Sequence, residues 1–170
     1  MDMRLVVVSD SHGAVSYLRN IVNLAMSRGK IDMFVFLGDG IADALTIRPS
    51  LLAQNPQMQW IAVRGNNDPA LSAPEEAFFQ VNGKGVLACH GHQYRVKWGQ
   101  EKLLYTAREK GASLALYGHT HHSRLKEAYG VLLVNPGAVC EAFVGRPVLA
   151  DITITDEEEI RVAFLSLQGE

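Results

Sequence analysis

The chain has 170 residues, 48% of them hydrophobic, with 16 basic and 18 acidic side chains and a formal net charge of −2. That length suits a single domain spanning 1–170, able to bury roughly 70% of its unfolded surface without disulfide staples. The composition excludes disorder, the slight acidity argues against a dedicated nucleic-acid surface, and no run approaches the ~18 apolar residues of a membrane-spanning helix.

In chain order, the buried run 5–8 reads as a strand covered on both faces. Over 14–28, Leu18, Ile21, Val22 and Ala25 recur at spacings of three and four, which predicts a helix with one buried stripe, stopped by Gly29. A second buried run, 33–37, leads into Gly38-Asp39-Gly40. Residues 41–53 read as at least partly helical, interrupted near Pro49. A third strand, 60–63, runs into Arg64-Gly65-Asn66-Asn67-Asp68-Pro69. Runs 77–81 and 85–89 flank Asn82-Gly83, a dipeptide suited to a tight hairpin turn. A helix is predicted over 98–110, with Trp98, Leu103 and Ala107 among its buried positions. Strand 114–117 enters Gly118-His119-Thr120-His121-His122, and the remaining runs, 125–129, 131–134, 148–154 and 160–165, all read as β. Strands in both parallel-type and hairpin-type contexts predict an α/β fold of two packed sheets flanked by helices.

The six histidines fall in three short strings, around His12, around His90 and His92, and at His119, His121 and His122. Apolar runs end directly in LVVVSDSH, FVFLGDG, IAVRGNND, VLACHGH and LALYGHTH. Ligands of α/β sheets bind where strand carboxyl ends converge, so these polar strings predict one shared site. Asp10 and His12, His90 and His92, and His119 and His121 are each two apart, a spacing that aims both side chains to one side of an extended segment. The donors are imidazole and carboxylate, with the Asn66 amide, a set that suits Mn²⁺, Fe²⁺, Zn²⁺, Co²⁺ or Ni²⁺. Four histidines with two aspartates exceed the needs of one four-coordinate ion and suit two ions sharing a ligand. Asp68 reads as a turn or orienting residue, Asp43 as a helix-surface carboxylate, His122 as a solvated neighbour, and Trp60 and Trp98 as packing residues. Cys89 and Cys140 form no CxxC unit. Reduced core cysteines and a cytoplasmic location are expected, since the first apolar run is too short for a signal peptide.

Asp10-x-His12, Gly38-Asp39, Gly65-Asn66-x-Asp68, His90 and Gly118-His119-x-His121 follow, in order, the signature blocks of the calcineurin-like metallophosphoesterases, and Asn135-Pro136-Gly137 extends the resemblance over nearly the whole chain. The wording CHGHQ and GHTHH is most similar to the small bacterial and archaeal phosphodiesterase branch; a eukaryotic retromer subunit that serves as a scaffold is also similar. The resemblance implies a four-layer αββα sandwich, two mixed β-sheets flanked by helices. It implies a first metal held by Asp10, His12, Asp39 and His121, with Asp39 bridging to a second metal completed by Asn66, His90 and His119. Mn²⁺ is the expected ion. The loaded site would carry a formal charge of about +2 and draw in an anionic phosphate. The implied activity is hydrolysis of a small or nucleotide-like phosphodiester by in-line attack of a metal-bridging hydroxide. The alternatives are a phosphomonoesterase of the same fold and a non-catalytic metal-binding scaffold.

One position departs from the pattern. Asn67 stands where the family commonly carries a histidine that donates a proton to the leaving group, and an amide cannot act as that acid. The small phosphodiesterase branch also lacks that histidine. His92, beside His90, is the residue expected to substitute in part as proton donor. The expected partner is a small-molecule substrate, and late exposed β edges are compatible with a homo-oligomer.

Overall fold

The structure is a computed structural model that describes residues 1–140 and 146–167. Strand β1 (Met3–Val8) is fully buried from Leu5 onward because both its faces are covered. Alternation along the strand divides its side chains between two cores. Val6 and Val8 pack with helices α1 (Val15–Ser27) and α2 (Ile41–Gln54), while Leu5 and Val7 pack against a second sheet. Strand β2 (Met33–Phe36) divides in the same way, Phe34 and Phe36 toward the helices, Met33 and Val35 toward the sheet. Burial of each such side chain contributes roughly 1.5–3 kcal/mol, and it fixes the register because a slip of one residue would exchange the two cores.

With β3 (Gln59–Ala62), β9 (Val148–Ile154) and β10 (Ile160–Ser166), these strands form a sheet in the order β10-β9-β1-β2-β3, parallel across β1, β2 and β3. The second sheet comprises β4 (Glu76–Val81), β5 (Lys84–Cys89), β6 (Ala112–Leu116), β7 (Ser123–Ala128) and β8 (Val131–Pro136), in the order β4-β5-β6-β8-β7. Its centre, β5-β6-β8, is parallel, and its edges are antiparallel. Helix α3 (Glu101–Glu109) covers the outer face, with Leu103, Leu104 and Ala107 against Leu87, Cys89 and Ala115. Two mixed five-stranded sheets with helices outside them make the αββα sandwich. The hairpin turn at Asn82-Gly83 forms with both residues at positive φ, 45° and 78°. Among the described residues no helix is long and apolar enough to cross a membrane.

Local expectations are corrected at three places. Helix α2 continues through Pro49 instead of breaking there. Pro49 lies on the exposed side, and the carbonyl that its missing N–H leaves without a helical partner belongs to Leu45, itself 51% exposed, so the break in the ladder falls on the solvent face. Helix α3 starts at Glu101, so Trp98 lies in the preceding loop and is 90% exposed, not packed. Asp43 is buried, because the first turn of α2 faces loop 10–13, where Ser11 Oγ (2.5 Å) and the Gly13 N–H (2.8 Å) donate to its carboxylate.

Candidate metal centre

The parallel strands of both sheets end at one edge of the sandwich, and every string singled out in the sequence lies there. The loops interlock through their own backbones. The Asp10 N–H donates to the Gly38 carbonyl (2.9 Å), the His12 N–H to the Asp39 carbonyl (3.0 Å) and the Gly118 N–H to the His90 carbonyl (2.9 Å). Asp10, His12, Asp39, His119 and His121 all adopt positive φ, between 43° and 70°. That conformation costs about 1–2 kcal/mol per non-glycine residue, so its concentration at the expected ligands marks a functional loop cluster. Two glycines permit the approach. A Cβ on Gly65 would meet Asp39 Oδ1 at 2.1 Å, and one on Gly118 would meet Ser9 Oγ at 2.1 Å.

Six ligand atoms converge. Nε2 of His12 lies 3.2 Å from Nε2 of His121, and Nε2 of His90 lies 3.1 Å from Nδ1 of His119. Asp10 Oδ1 is 3.2 Å from His121 and 3.5 Å from His12; Asp39 Oδ2 is 3.3 Å from His90 and 3.7 Å from His12. Among the described residues, three groups have ligand atoms within 4.8 Å of one another: Asp10, His12 and Asp39; Asp39, His90 and His119; and His12, His121 and Cys140. His12 and Asp39 each belong to two of them, and of the two only the carboxylate has two oxygens with which to bridge.

The donors suit cations on physical grounds. Paired imidazole nitrogens at such distances repel unless a proton or a metal ion lies between them. Asp10 Oδ1 is buried and accepts no well-aligned hydrogen bond, whereas Oδ2 accepts from Ser9 Oγ (2.5 Å) and the His119 N–H (3.0 Å). One oxygen is thus held by protein and the other left for a ligand. His90 Nδ1–H donates to the Leu37 carbonyl (2.8 Å), which fixes the tautomer and turns the Nε2 lone pair into the cluster. Burial opposes ionisation of Asp10, but the adjacent His12 and His121 imidazoles and the charge of His90 hold its carboxyl well below the usual range. Burial likewise opposes ionisation of Asp39, yet the His90 and Asn67 contacts hold it at about 2. The carboxylates are therefore ready as anionic ligands. Burial, then the charges of His90 and Lys97, lower His119 to about 4, which keeps it neutral and able to coordinate near neutral pH.

The remaining expected residues divide. Asn66 is exposed, and its side chain makes no hydrogen bond among the described residues. Asn67, read from sequence only as a missing proton donor, instead grips Asp39: its N–H donates to Oδ1 and its Nδ2 to Oδ2, each at 2.9 Å. His92 starts a 3-10 turn, His92–Tyr94, with its ring 5.4 Å from that of His90. Burial and then the charge of His90 lower its pKa. His122 is exposed, and Cys89 lies in the core under α3.

Three contributors lacked a sufficient sequence signal. Asp68, expected to orient its turn, reaches much further. Its Oδ2 accepts the N–H groups of Asp39 (2.7 Å) and Gly65 (2.8 Å), and its Oδ1 those of Gly40 (2.9 Å) and Ile41 (3.0 Å). It therefore supplies the N-terminal cap that α2 lacks at Gly40 and ties two ligand loops together. Asn135 is fully buried and donates to the Gly118 carbonyl and Thr120 Oγ1, both at 3.0 Å, bracing the loop that carries His119 and His121. Cys140, 7% exposed, approaches His12 and His121 because its N–H is tied to the Asp10 carbonyl (3.1 Å), a contact between distant segments.

Residues 3–157 match the family model of the calcineurin-like phosphoesterase superfamily domain. The chain is similar to the probable metallophosphoesterase YsnB of Bacillus subtilis, 26% identical over 168 residues that cover 98% of this chain and 93% of YsnB. It is also similar to phosphodiesterase MJ0936 of Methanocaldococcus jannaschii, 24% identical over 178 residues, covering 96% and 99% of the two chains. Among solved structures it resembles wild-type Vps29 of Entamoeba histolytica complexed with Zn²⁺, with a TM-score of 0.62 at 19% identity and coverage of 96% and 99%. That last likeness is one of fold.

Proposed function

The chain belongs to the calcineurin-like phosphoesterase superfamily, and from that premise we propose that it is a phosphodiesterase with a two-metal centre acting on a small or nucleotide-like phosphodiester. The observation that carries the reading is Asp39, whose carboxylate lies in two separate candidate ligand groups at once. Asp10, His12 and His121 would complete the first position, and His90, His119 and Asn66 the second. Bound ions would supply a water activated at neutral pH and positive charge facing the phosphate. The chain's own part is to hold the ligands in register. Asn67 holds Asp39 by two hydrogen bonds, the Leu37 carbonyl orients His90, and Ser9 and the His119 N–H leave only Oδ1 of Asp10 for an ion.

The resemblance to the small phosphodiesterase branch, which also lacks a histidine at the Asn67 position, supports diesters over monoesters, while an amide there cannot protonate a poor leaving group of either. His92 is the residue nearest in kind for that proton. Its lowered pKa leaves it largely neutral near pH 7, so we assign it at most a partial share. A His92→Asn variant that loses no more rate on an alkyl leaving group than on p-nitrophenol removes even that share. The second reading, a metal-binding scaffold, draws on the fold shared with Vps29.

The test uses metal-stripped protein on bis-p-nitrophenyl phosphate and p-nitrophenyl phosphate, with and without Mn²⁺, Ni²⁺ or Zn²⁺. The expected result is metal-dependent cleavage of the diester in preference to the monoester, lost in Asp39→Asn and His90→Ala. Metal binding without turnover of any phosphate ester would favour the scaffold.

A further inference from the structure

The exposed tryptophan stands beside the metal centre on a prepared surface. A small concavity of about 140 Å³ lies over His119, Thr120, His121 and His122, and Lys97 forms its wall. A larger one, about 480 Å³, shares Lys97, Thr120 and His122 with it and extends past Trp98 to Arg124 and Lys126. The two make a groove that starts at the ligand histidines and leads to an indole ring. Its size falls within the ~300–1,000 Å³ of small-molecule sites.

Charge and rigidity point to the occupant. The larger concavity is lined by the cations Lys97, Arg124 and Lys126 against one carboxylate, Glu101, although the chain as a whole carries −2. Trp98 is 90% exposed, yet its backbone is fixed: its N–H donates to the Arg95 carbonyl (2.9 Å), Arg95 takes a positive φ of 54°, and Val96 is buried at 2% exposure. A large aromatic ring held in solvent forgoes the burial that normally stabilises it, and with its backbone fixed only two side-chain torsions remain to be ordered when a planar partner stacks on it. A lipid chain would need a continuous apolar lining, whereas an aromatic ring flanked by cations is the pairing that nucleotides recognise.

We propose that the groove from Lys97 to Trp98 is a nucleoside subsite, in which the base of a nucleotide-type diester stacks on Trp98 while its phosphate occupies the metal centre. Lys97, between the two, faces the phosphate end. This rests on the phosphodiesterase reading above and names its substrate class.

The test has a binding arm and a kinetic arm. Intrinsic fluorescence is titrated with AMP, ribose 5-phosphate and inorganic phosphate on metal-loaded protein. AMP should quench Trp98 and bind about tenfold or more tightly than ribose 5-phosphate, the scale of one base–aromatic stack. Trp60, stacked on Phe34 at 4.5 Å, remains as the internal reference. In kinetics, Trp98→Ala should lower the ratio of kcat/KM for thymidine 5′-(p-nitrophenyl phosphate) over methyl p-nitrophenyl phosphate by about tenfold, and Trp98→Phe should restore most of it. Equal affinities for AMP and ribose 5-phosphate, or an unchanged ratio in Trp98→Ala, overturn the subsite while leaving the phosphodiesterase reading intact. AMP quenching through Trp98 without turnover of any ester would uphold the subsite and overturn the phosphodiesterase reading. Loss of a dimer in Trp98→Ala, with AMP affinity unchanged, would assign the face to self-association and overturn the proposal.

Discussion

Asp68 offers the sharpest test of how the loops hold the site, because its two oxygens do different work. Oδ1 accepts the Gly40 and Ile41 N–H groups at the start of α2, and Oδ2 accepts those of Asp39 and Gly65 in the ligand loops. Loss of a helix cap costs about 1 kcal/mol. Hydrogen bonds to a charged acceptor contribute ~1.5–3 kcal/mol each, and partial access of water to the freed loop N–H groups brings the Asp68→Ala total to about 3 kcal/mol. For a chain of this size that is a fall in Tm of about 6–12 °C. Asp68→Asn separates the two parts. The amide can keep a carbonyl at Oδ1 and so the cap, but an NH₂ in place of Oδ2 confronts the Asp39 and Gly65 N–H groups donor to donor. The expected outcome is a Tm loss about two-thirds that of Asp68→Ala, with metal affinity weakened as much as in Asp68→Ala, by about tenfold. Thermal unfolding of stripped protein and calorimetric titration with Zn²⁺ measure the two quantities. Unaltered metal affinity in Asp68→Asn, or a Tm loss below about 2 °C in Asp68→Ala, would refute the division of labour.

Two further outcomes follow from the same cluster. His119 is lowered from 6.5 to about 4, so between those values the unfolded chain binds a proton that the folded chain does not, and stability of the stripped protein should rise with pH across that window. Asp39, lowered from 3.8 to about 2, adds to the loss at lower pH, whereas His12 and His90, raised above 6.5, contribute stability that is lost as pH rises through their folded values. Melting curves from pH 4 to 8 should therefore peak near neutrality, and His119→Ala should flatten the acid limb; an acid limb unchanged in that variant contradicts the assignment. Cys140 places a thiol beside two ligand imidazoles, and sulfur favours Zn²⁺ over Mn²⁺. Cys140→Ser should thus weaken Zn²⁺ more than Mn²⁺ in competitive titration, and equal losses would show that the sulfur does not reach the ion.

Legibility in the sequence follows the range of the interaction. Strands buried on both faces, the α1 stripe and the Asn82-Gly83 turn depend on neighbours a few residues away, and all form where the pattern places them. The ligand strings were legible for the same reason: each sits directly after an apolar run, and the topology does the rest. What escaped depends on distant partners. Asp43 looks like a surface carboxylate until loop 10–13 supplies Ser11 and Gly13, 32 and 30 residues away in sequence. Trp98 adjoins the run that carries Leu103 and Ala107, but it stands five residues before Leu103, off the three-or-four spacing of one helix face, and the helix starts after it. Asn67 was read for the proton it lacks, whereas its hydrogen bonds to Asp39 span 28 residues. Cys140 reaches His12 and His121 through backbone pairing with a distant loop, the Val139 N–H to the Ser9 carbonyl and its own N–H to the Asp10 carbonyl.

Those long-range ties also explain how the chain sustains so unfavourable a cluster. Positive φ at Asp10, His12, Asp39, His119 and His121 and close nitrogen pairs would each, alone, relax the loops outward. Relaxation is opposed because no loop can move by itself. Asp10 is bonded through its N–H to Gly38, through its carbonyl to Cys140, and through its carboxylate to the His119 N–H, while Asp39 is gripped by Asn67 and its N–H by Asp68. Strain held in this way is a preformed demand for cations: an ion that binds the folded chain removes the nitrogen repulsion and stabilises the fold in proportion to its affinity. Metal loading should accordingly raise the Tm of the wild-type chain, and should do so far less in Asp39→Asn, where the one carboxylate common to both candidate positions is gone.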